Sequence, residues 1–308
     1  MRSTSFLKQT LVRIPLLYAL LVAACGFFSS VPVFAQTNQD MRDPDYPVEW
    51  AAIDSLEKEG LLRSAFDAVT ALHARAVADQ KDAQIIKTLI FQAKYQVLVE
   101  ENGMEKAISF LQQAAENAPL PRRAILQSLL AELYDRYLND NSWEIRQRTP
   151  LAEAPGSDIK TWPAAFFETE IARLYLASLD HPGLDQTPLT GYGPILESLH
   201  NSTVRWTNLY DILAFRAVVY FSNSQSFLNQ PAYRFYLDQP EAFLDAEAFA
   251  AYPFQSADPE SAAYRALLLF QQLLRRGNPL SAPDAWVDLD LRRLAFVYDK
   301  SVLPDKAQ

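Results

Sequence analysis

The sequence predicts an all-α protein: antiparallel helical hairpins in a tetratricopeptide-like or α-solenoid layer, followed by a helical subdomain with a long aromatic-rich loop. Three observations predict it. Glycine is scarce, 8 of 308 residues, where an average chain of this length has about 20. No Asn-Gly or Asp-Gly pair stands between two alternating, strand-like runs, so hairpin signals are missing. From Val48 onward, apolar residues recur at helical spacing.

Residues 1–35 read as an export signal. Arg2, Lys8 and Arg13 precede or enter an apolar run, Ile14–Gly26, and Val33-Phe34-Ala35 supplies the small residue a signal peptidase needs. Cleavage between Ala35 and Gln36 is expected, which places the protein in the periplasm or cell envelope. The alternative is a lipobox, Val22-Ala23-Ala24-Cys25, which would lipidate Cys25 and tether the protein to a membrane, as in an outer-membrane lipoprotein. The rest of the chain has no second apolar run long enough to span one.

Residues 36–145 are expected to form a first, hairpin-built subdomain. Trp50, Ile53 and Leu56 precede Gly60; Leu62, Phe66, Val69 and Leu72 follow it; Ile85–Val99 and Ala107–Ala115 flank Gly103. GLLRSAFDAV and GMEKAISFL align at a spacing of 42 or 43 residues, longer than a tetratricopeptide unit. Gly60, Gly103 and Gly277 each stand where a helical pattern ends, the usual place for a C-cap glycine. Arg122–Leu138 closes this layer.

A loop-like stretch with Pro150, Pro155 and Gly156 separates this subdomain from the second, 158–308. A helix restarts near Trp162, with Thr161 as N-cap and Pro163 in its first turn. The stretch Trp206–Phe221 lacks Gly and Pro and is apolar nearly all round, so it is expected to be the buried centre of the molecule. Asp211 and Arg216 interrupt it, point to different faces, and each need a partner on a neighbouring element. Residues 222–257 read as irregular, with aromatics (Phe227, Tyr233, Phe235, Tyr236, Phe243, Phe249, Phe254) dense enough to pin the segment across helices. Asp258-Pro259-Glu260 reads as the start of a further helix. The last begins near Asp284 with Trp286, Leu289, Leu294 and Val297 inward, although the C-terminal end is expected to leave apolar surface uncovered around Leu294, Val297 and Val302.

Composition narrows the function classes. The first 35 residues hold three cations and no acid, so the remainder carries 25 basic against 37 acidic residues, a net of −12. Such a chain repels nucleic acid. Cys25 is the only cysteine, which leaves the body without a disulfide, a thiolate metal site or a cysteine nucleophile. His73, His181 and His200 have no metal-ligand spacing. Asp284, Asp288 and Asp290 fall in the first turns of a helix, where carboxylates complement the dipole. Asp238, Glu241, Asp245 and Glu247 surround Tyr236 and Phe243, a composition glycan sites also use, but nothing sets two of them at a glycosidase separation. Asn201-Ser202-Thr203 matches a glycosylation sequon. No catalytic residue, metal site or cofactor is expected.

Four stretches, ILQSLLAELYDRYL at 125–138, LYLASL at 174–179 after Trp162, LYDILAFRAVVYF at 209–221 and DLDLRRLAFVYDKSVLPDK at 288–306, in this order resemble one family. They are similar to the helical N-terminal region of the very large alpha-2-macroglobulin-like proteins of Bacteroidetes-type bacteria. The resemblance runs from about Trp50 to the end. It implies an exported protein whose full form traps a broad range of endopeptidases: the protease cuts a bait region and is caged, in some members through a Cys-x-Glu-Gln thioester. This chain departs from that pattern in having no β-domains, no bait region and no thioester, since Cys25 is followed by Gly26-Phe27-Phe28. No functional residue carries over. The expectation is a fragment holding the non-catalytic helical scaffold, with the downstream macroglobulin domains as partner and target proteases reached only through the full-length form.

Two other classes stay open. One is a free-standing helical-repeat protein that binds a protein or glycan, for which lipidation at Cys25 and sugar binding by the 227–254 aromatics would speak. The other is a hydrolase, which lacks an assembled acid, base or nucleophile.

Overall fold

The computed structural model describes residues 46–148, 156–196, 206–223, 234–277 and 282–304. Cys25, Ala35, Gln36, His200, the Asn201 sequon, Phe227 and Tyr233 lie outside them. The described chain is all helical. Its helices pack as sequential antiparallel pairs, and two isolated bridges, Pro188 with Asn208 and Leu237 with Ser301, take the place of any strand among the described residues. No described helix is long and apolar enough to cross a membrane.

Contacts divide the chain into two compact units, the first comprising 46–110 and 189–196 of the described residues and the second 111–188 and 206–304.

The first unit is built on α1 (Pro47–Lys58), α2 (Leu62–Ala78) and α3 (Asp82–Val99), with the start of α4 (Gly103–Asn117). Each turn uses a left-handed residue to reverse the chain. Gly60 takes φ +76° after α1, and Leu61 N–H reaches back to the Leu56 carbonyl at 2.8 Å, the bond pattern of a Schellman stop. After α3 the left-handed residue is Asn102, φ 53°, so Gly103 is not the cap the sequence suggests. It opens α4 instead, and its missing side chain is what lets the chain come close: a Cβ there would stand 2.3 Å from the Gln96 carbonyl oxygen.

The centre of this unit is α3, whose residues from Ala83 to Tyr95 are buried without a break. It contains five polar residues in that run, and direct contacts tie four of them to α1 or α2. Trp50 Nε1 donates to Gln84 at 2.8 Å, His73 hydrogen-bonds with Thr88 at 2.8 Å, and Lys94 donates to Glu57 at 2.6 Å. Lys87 lies over the Trp50 ring at 4.3 Å. The central place expected for Trp206–Phe221 in the whole molecule therefore holds only for the second unit.

In that second unit α5 (Arg122–Asp140) runs into the single turn α6 (Ser142–Ile145) and pairs with α7 (Ala164–Ala177). Tyr134, Trp162 and Phe167 meet between them, with ring centroids 5.2 to 6.1 Å apart. The first unit also contains the one-turn α8 (Gly193–Leu196), which lies against α3.

Helix α9 (Leu209–Asn223) contacts α5, α7 and α11 (Ala262–Arg276). It begins at Leu209 rather than Trp206 because Asn208 Oδ1 accepts the Asp211 N–H at 3.0 Å, a cap that sets the first turn. Likewise α11 starts at Ala262, not at Pro259: Ser261 is its cap, and Asp258 turns back to accept from the Phe235 N–H.

The segment expected to be irregular contains a short helix, α10 (Ala246–Ala251), started by Asp245 accepting from Ala248 N–H at 2.9 Å. Its last carbonyls are satisfied from α11, where Gln271 Nε2 donates to Phe249 at 2.7 Å and Arg275 Nε to Ala250 at 2.5 Å. Phe235, Phe249 and Phe254 are buried, so the described aromatics of this segment are largely pinned. The final helix, α12 (Pro283–Lys300), packs on α11 and on the turn Pro240–Phe243.

Candidate docking surface

The residues singled out in the sequence do not converge. His73 pairs with Thr88 in the first unit, and His181 Nε2 donates to Gln127 at 2.9 Å in the second. Burial, with Arg123 nearby, holds the His181 imidazole below its usual range, which favours the uncharged ring. Among the described residues no three His, Cys, Asp or Glu side chains gather as a metal site would require. Asp288 accepts from Arg292 at 2.9 Å and Asp290 from Arg293 at 2.9 Å, each within α12. Asp211 and Arg216 leave α9 in different directions: Asp211 lies 3.8 Å from Arg276 on α11, and Arg216 donates to Ser128 and Glu132 on α5 at 2.8 and 2.6 Å.

What stands out instead is α12. At roughly 100° per residue, Leu289, Arg293, Phe296 and Val297 form one side, and all four are buried. Arg293 is wholly enclosed; its charge is answered by Asp290, by the Ala242 carbonyl at 2.8 Å and by the Phe249 ring at 4.6 Å. The opposite side is apolar too. Val287 is 50% exposed, Leu291 61% and Tyr298 56%, with Leu294 half-buried between them. Val302, just past the helix, is 54% exposed.

The sequence expectation for this region is thus corrected in detail. Val297 belongs to the core, Trp286 and Leu294 are half-buried rather than fully inward, and the uncovered surface is carried by Val287, Leu291 and Tyr298 together with the expected Val302. The missed signal is legible once the helix is wound. Positions 289, 293, 296 and 297 repeat on one face, and positions 287, 291, 294 and 298 repeat on the other.

The patch extends beyond the helix. Of the eight large apolar side chains exposed on the described second unit, Val287, Leu291, Tyr298, Val302, Tyr236 and Leu244 belong to α12, its continuation or the segment 236–244 beside it. That segment is fastened to α12 by the Val302 N–H to Leu237 carbonyl bond, 3.0 Å, and by Arg293 at Ala242. A cluster of exposed apolar side chains on one helix is the usual mark of an interaction surface.

No protein-family model, curated protein or solved structure matches this chain.

Proposed function

We propose that this chain is a non-catalytic docking module that works by holding another protein. The observation that carries the reading is the two-faced α12: one apolar side closes the core of the second unit and the other is left for a partner. A helix needs only one apolar stripe to fold onto its own domain, so the second has to be explained by something outside it. The distribution of reactive side chains supports the same reading. The described histidines and Asp288 and Asp290 of α12 spend their bonds on neighbouring protein groups at separate places, and a reaction needs such groups assembled around one point.

In the setting implied by the resemblance to alpha-2-macroglobulin-like proteins, the module is exported and its partner is the macroglobulin body. A trap of that kind needs a cleavable bait and domains that collapse around the protease. On this reading the chain contributes neither, and serves as scaffold.

The test is to mix the purified chain with trypsin and follow hydrolysis of a small and a large substrate. Both rates should stay unchanged. Protection of the large substrate alone, the mark of a caged protease, would overturn the scaffold reading.

A further inference from the structure

Resting on the reading of α12 as a docking face, we propose that its occupant is a basic amphipathic helix supplied by another protein. The stripe Val287, Leu291, Leu294 and Tyr298 advances by four, three and four residues, the spacing at which one helix offers a seam to a second.

The elements that border α12 carry acids. Asp284 is exposed on the first turn of α12, and the segment fastened alongside the helix carries Asp238, Glu241 and, just after it, Asp245 and Glu247. Among the described residues Asp238, Glu241, Glu247 and Asp284 have no ion-pair partner, and Asp245 caps α10. The cations of the helix are already engaged: Arg292 with Asp288, Arg293 with Asp290 and Lys300 with Asp299. Arg234 lies over the Tyr236 ring at 5.2 Å.

The balance left over at this face is negative, as is the chain as a whole at −9. A second copy would bring the same acids against the same face, so charge opposes self-pairing. A helix with an apolar seam flanked by Lys or Arg fills the stripe and neutralises these acids together, which is how charge sets partner choice at an amphipathic groove.

The experiment titrates the purified chain with two synthetic helical peptides that share a leucine stripe of four-three-four spacing. One has Lys at the flanking positions and the other Glu. The Lys peptide should bind about tenfold more tightly than the Glu peptide, and less tightly as salt rises from about 0.05 to about 0.5 M. Leu291→Ser with Tyr298→Ser should weaken its binding by about tenfold. Both positions are exposed, and an unchanged circular dichroism spectrum verifies that the variant is folded. Asp238→Lys with Glu241→Lys should reverse the preference.

Equal binding of both peptides, lost in the Leu291 and Tyr298 variant, would retain the docking face and overturn the proposal of a basic partner. Failure of both peptides would overturn the face as well. Self-association of the chain that disappears in the same variant, seen by sedimentation, would replace the foreign helix with a second copy.

Discussion

Arg216 on α9 donates through Nη2 to Glu132 on α5 at 2.6 Å, and through Nε to Ser128 Oγ at 2.8 Å. The guanidinium is largely buried, and the Glu132 side chain is 21% exposed. Removing one member of such a pair leaves the other charged and poorly solvated, which costs about 3 kcal/mol or more. Arg216→Met alone should therefore lower stability by about that amount in a urea titration. Arg216→Met with Glu132→Leu should recover most of the loss, since an apolar pair of similar volume carries no desolvation penalty. A double variant as unstable as the single one would show that the bond to Ser128, not the ion pair, is what matters.

One turn further along α5, burial pushes the Asp135 carboxyl from an ordinary 3.8 up to about 6; Glu132 adds to the rise and the hydrogen bond to Asn139 opposes it. A raised carboxylate pKa favours the folded state when protonated. The contribution is complete below pH 3.8 and is lost as pH rises through about 6, a change of about 3 kcal/mol. Asp135→Asn, which cannot ionise, should match the natural chain at pH 4 and exceed it by up to about 3 kcal/mol at pH 8. Chemical denaturation at the two pH values reads the difference, and an equal effect at both would contradict it.

Leu213 faces the core of the second unit, and Leu213→Ala should cost about 2–5 kcal/mol. Glu57 deserves the opposite treatment from the one its place on a polar helix face suggests. It accepts from Lys94 at 2.6 Å and from the Tyr95 hydroxyl at 2.8 Å, and Lys94 is buried. Glu57→Ala should cost about 2–4 kcal/mol by stranding that ammonium, whereas exposed Asp54→Ala should stay within about 0.5 kcal/mol. Comparable denaturation midpoints for Glu57→Ala and Asp54→Ala would mean the Lys94 charge reaches water another way.

These contrasts mark what the sequence makes legible. Helix positions follow from apolar spacing, because α2, α5 and α7 bury faces that repeat at three and four residues. Helix starts are less legible where several capping residues compete. Asn208 and Ser261 take the caps, while Asp258 accepts from the Phe235 N–H instead. The buried centre at α3 is hidden by its polar residues: Gln84, Lys87, Thr88 and Lys94 look like a solvated face until α1 and α2 supply their partners. The outward stripe of α12 is hidden for the reverse reason. An apolar residue reads as core in sequence, and only the packing of α11 and the turn at Pro240–Phe243 decides which of two apolar faces is covered.

Gly103 gives a local test of the same point. An added Cβ would lie 2.7 Å from Val97 Cα as well as 2.3 Å from the Gln96 oxygen, both backbone atoms that cannot rotate away. Gly103→Ala should therefore destabilise by about 1–3 kcal/mol even though alanine is the better helix former. A neutral or stabilising result in thermal unfolding would show that α4 can shift without loss.

The docking claim itself is tested most directly by a thiol at position 291. Leu291→Cys adds a reactive group to a chain whose only other cysteine is Cys25, and Glu59→Cys, on an exposed turn residue, serves as control. Maleimide labelling is followed for both in the purified chain and in the intact cell envelope, with the natural chain giving the Cys25 background. The account predicts that both thiols label at similar rates in the purified protein, and that position 291 alone becomes protected in the envelope. Equal labelling of the two positions in the envelope would contradict it, as would protection of position 291 in the purified chain.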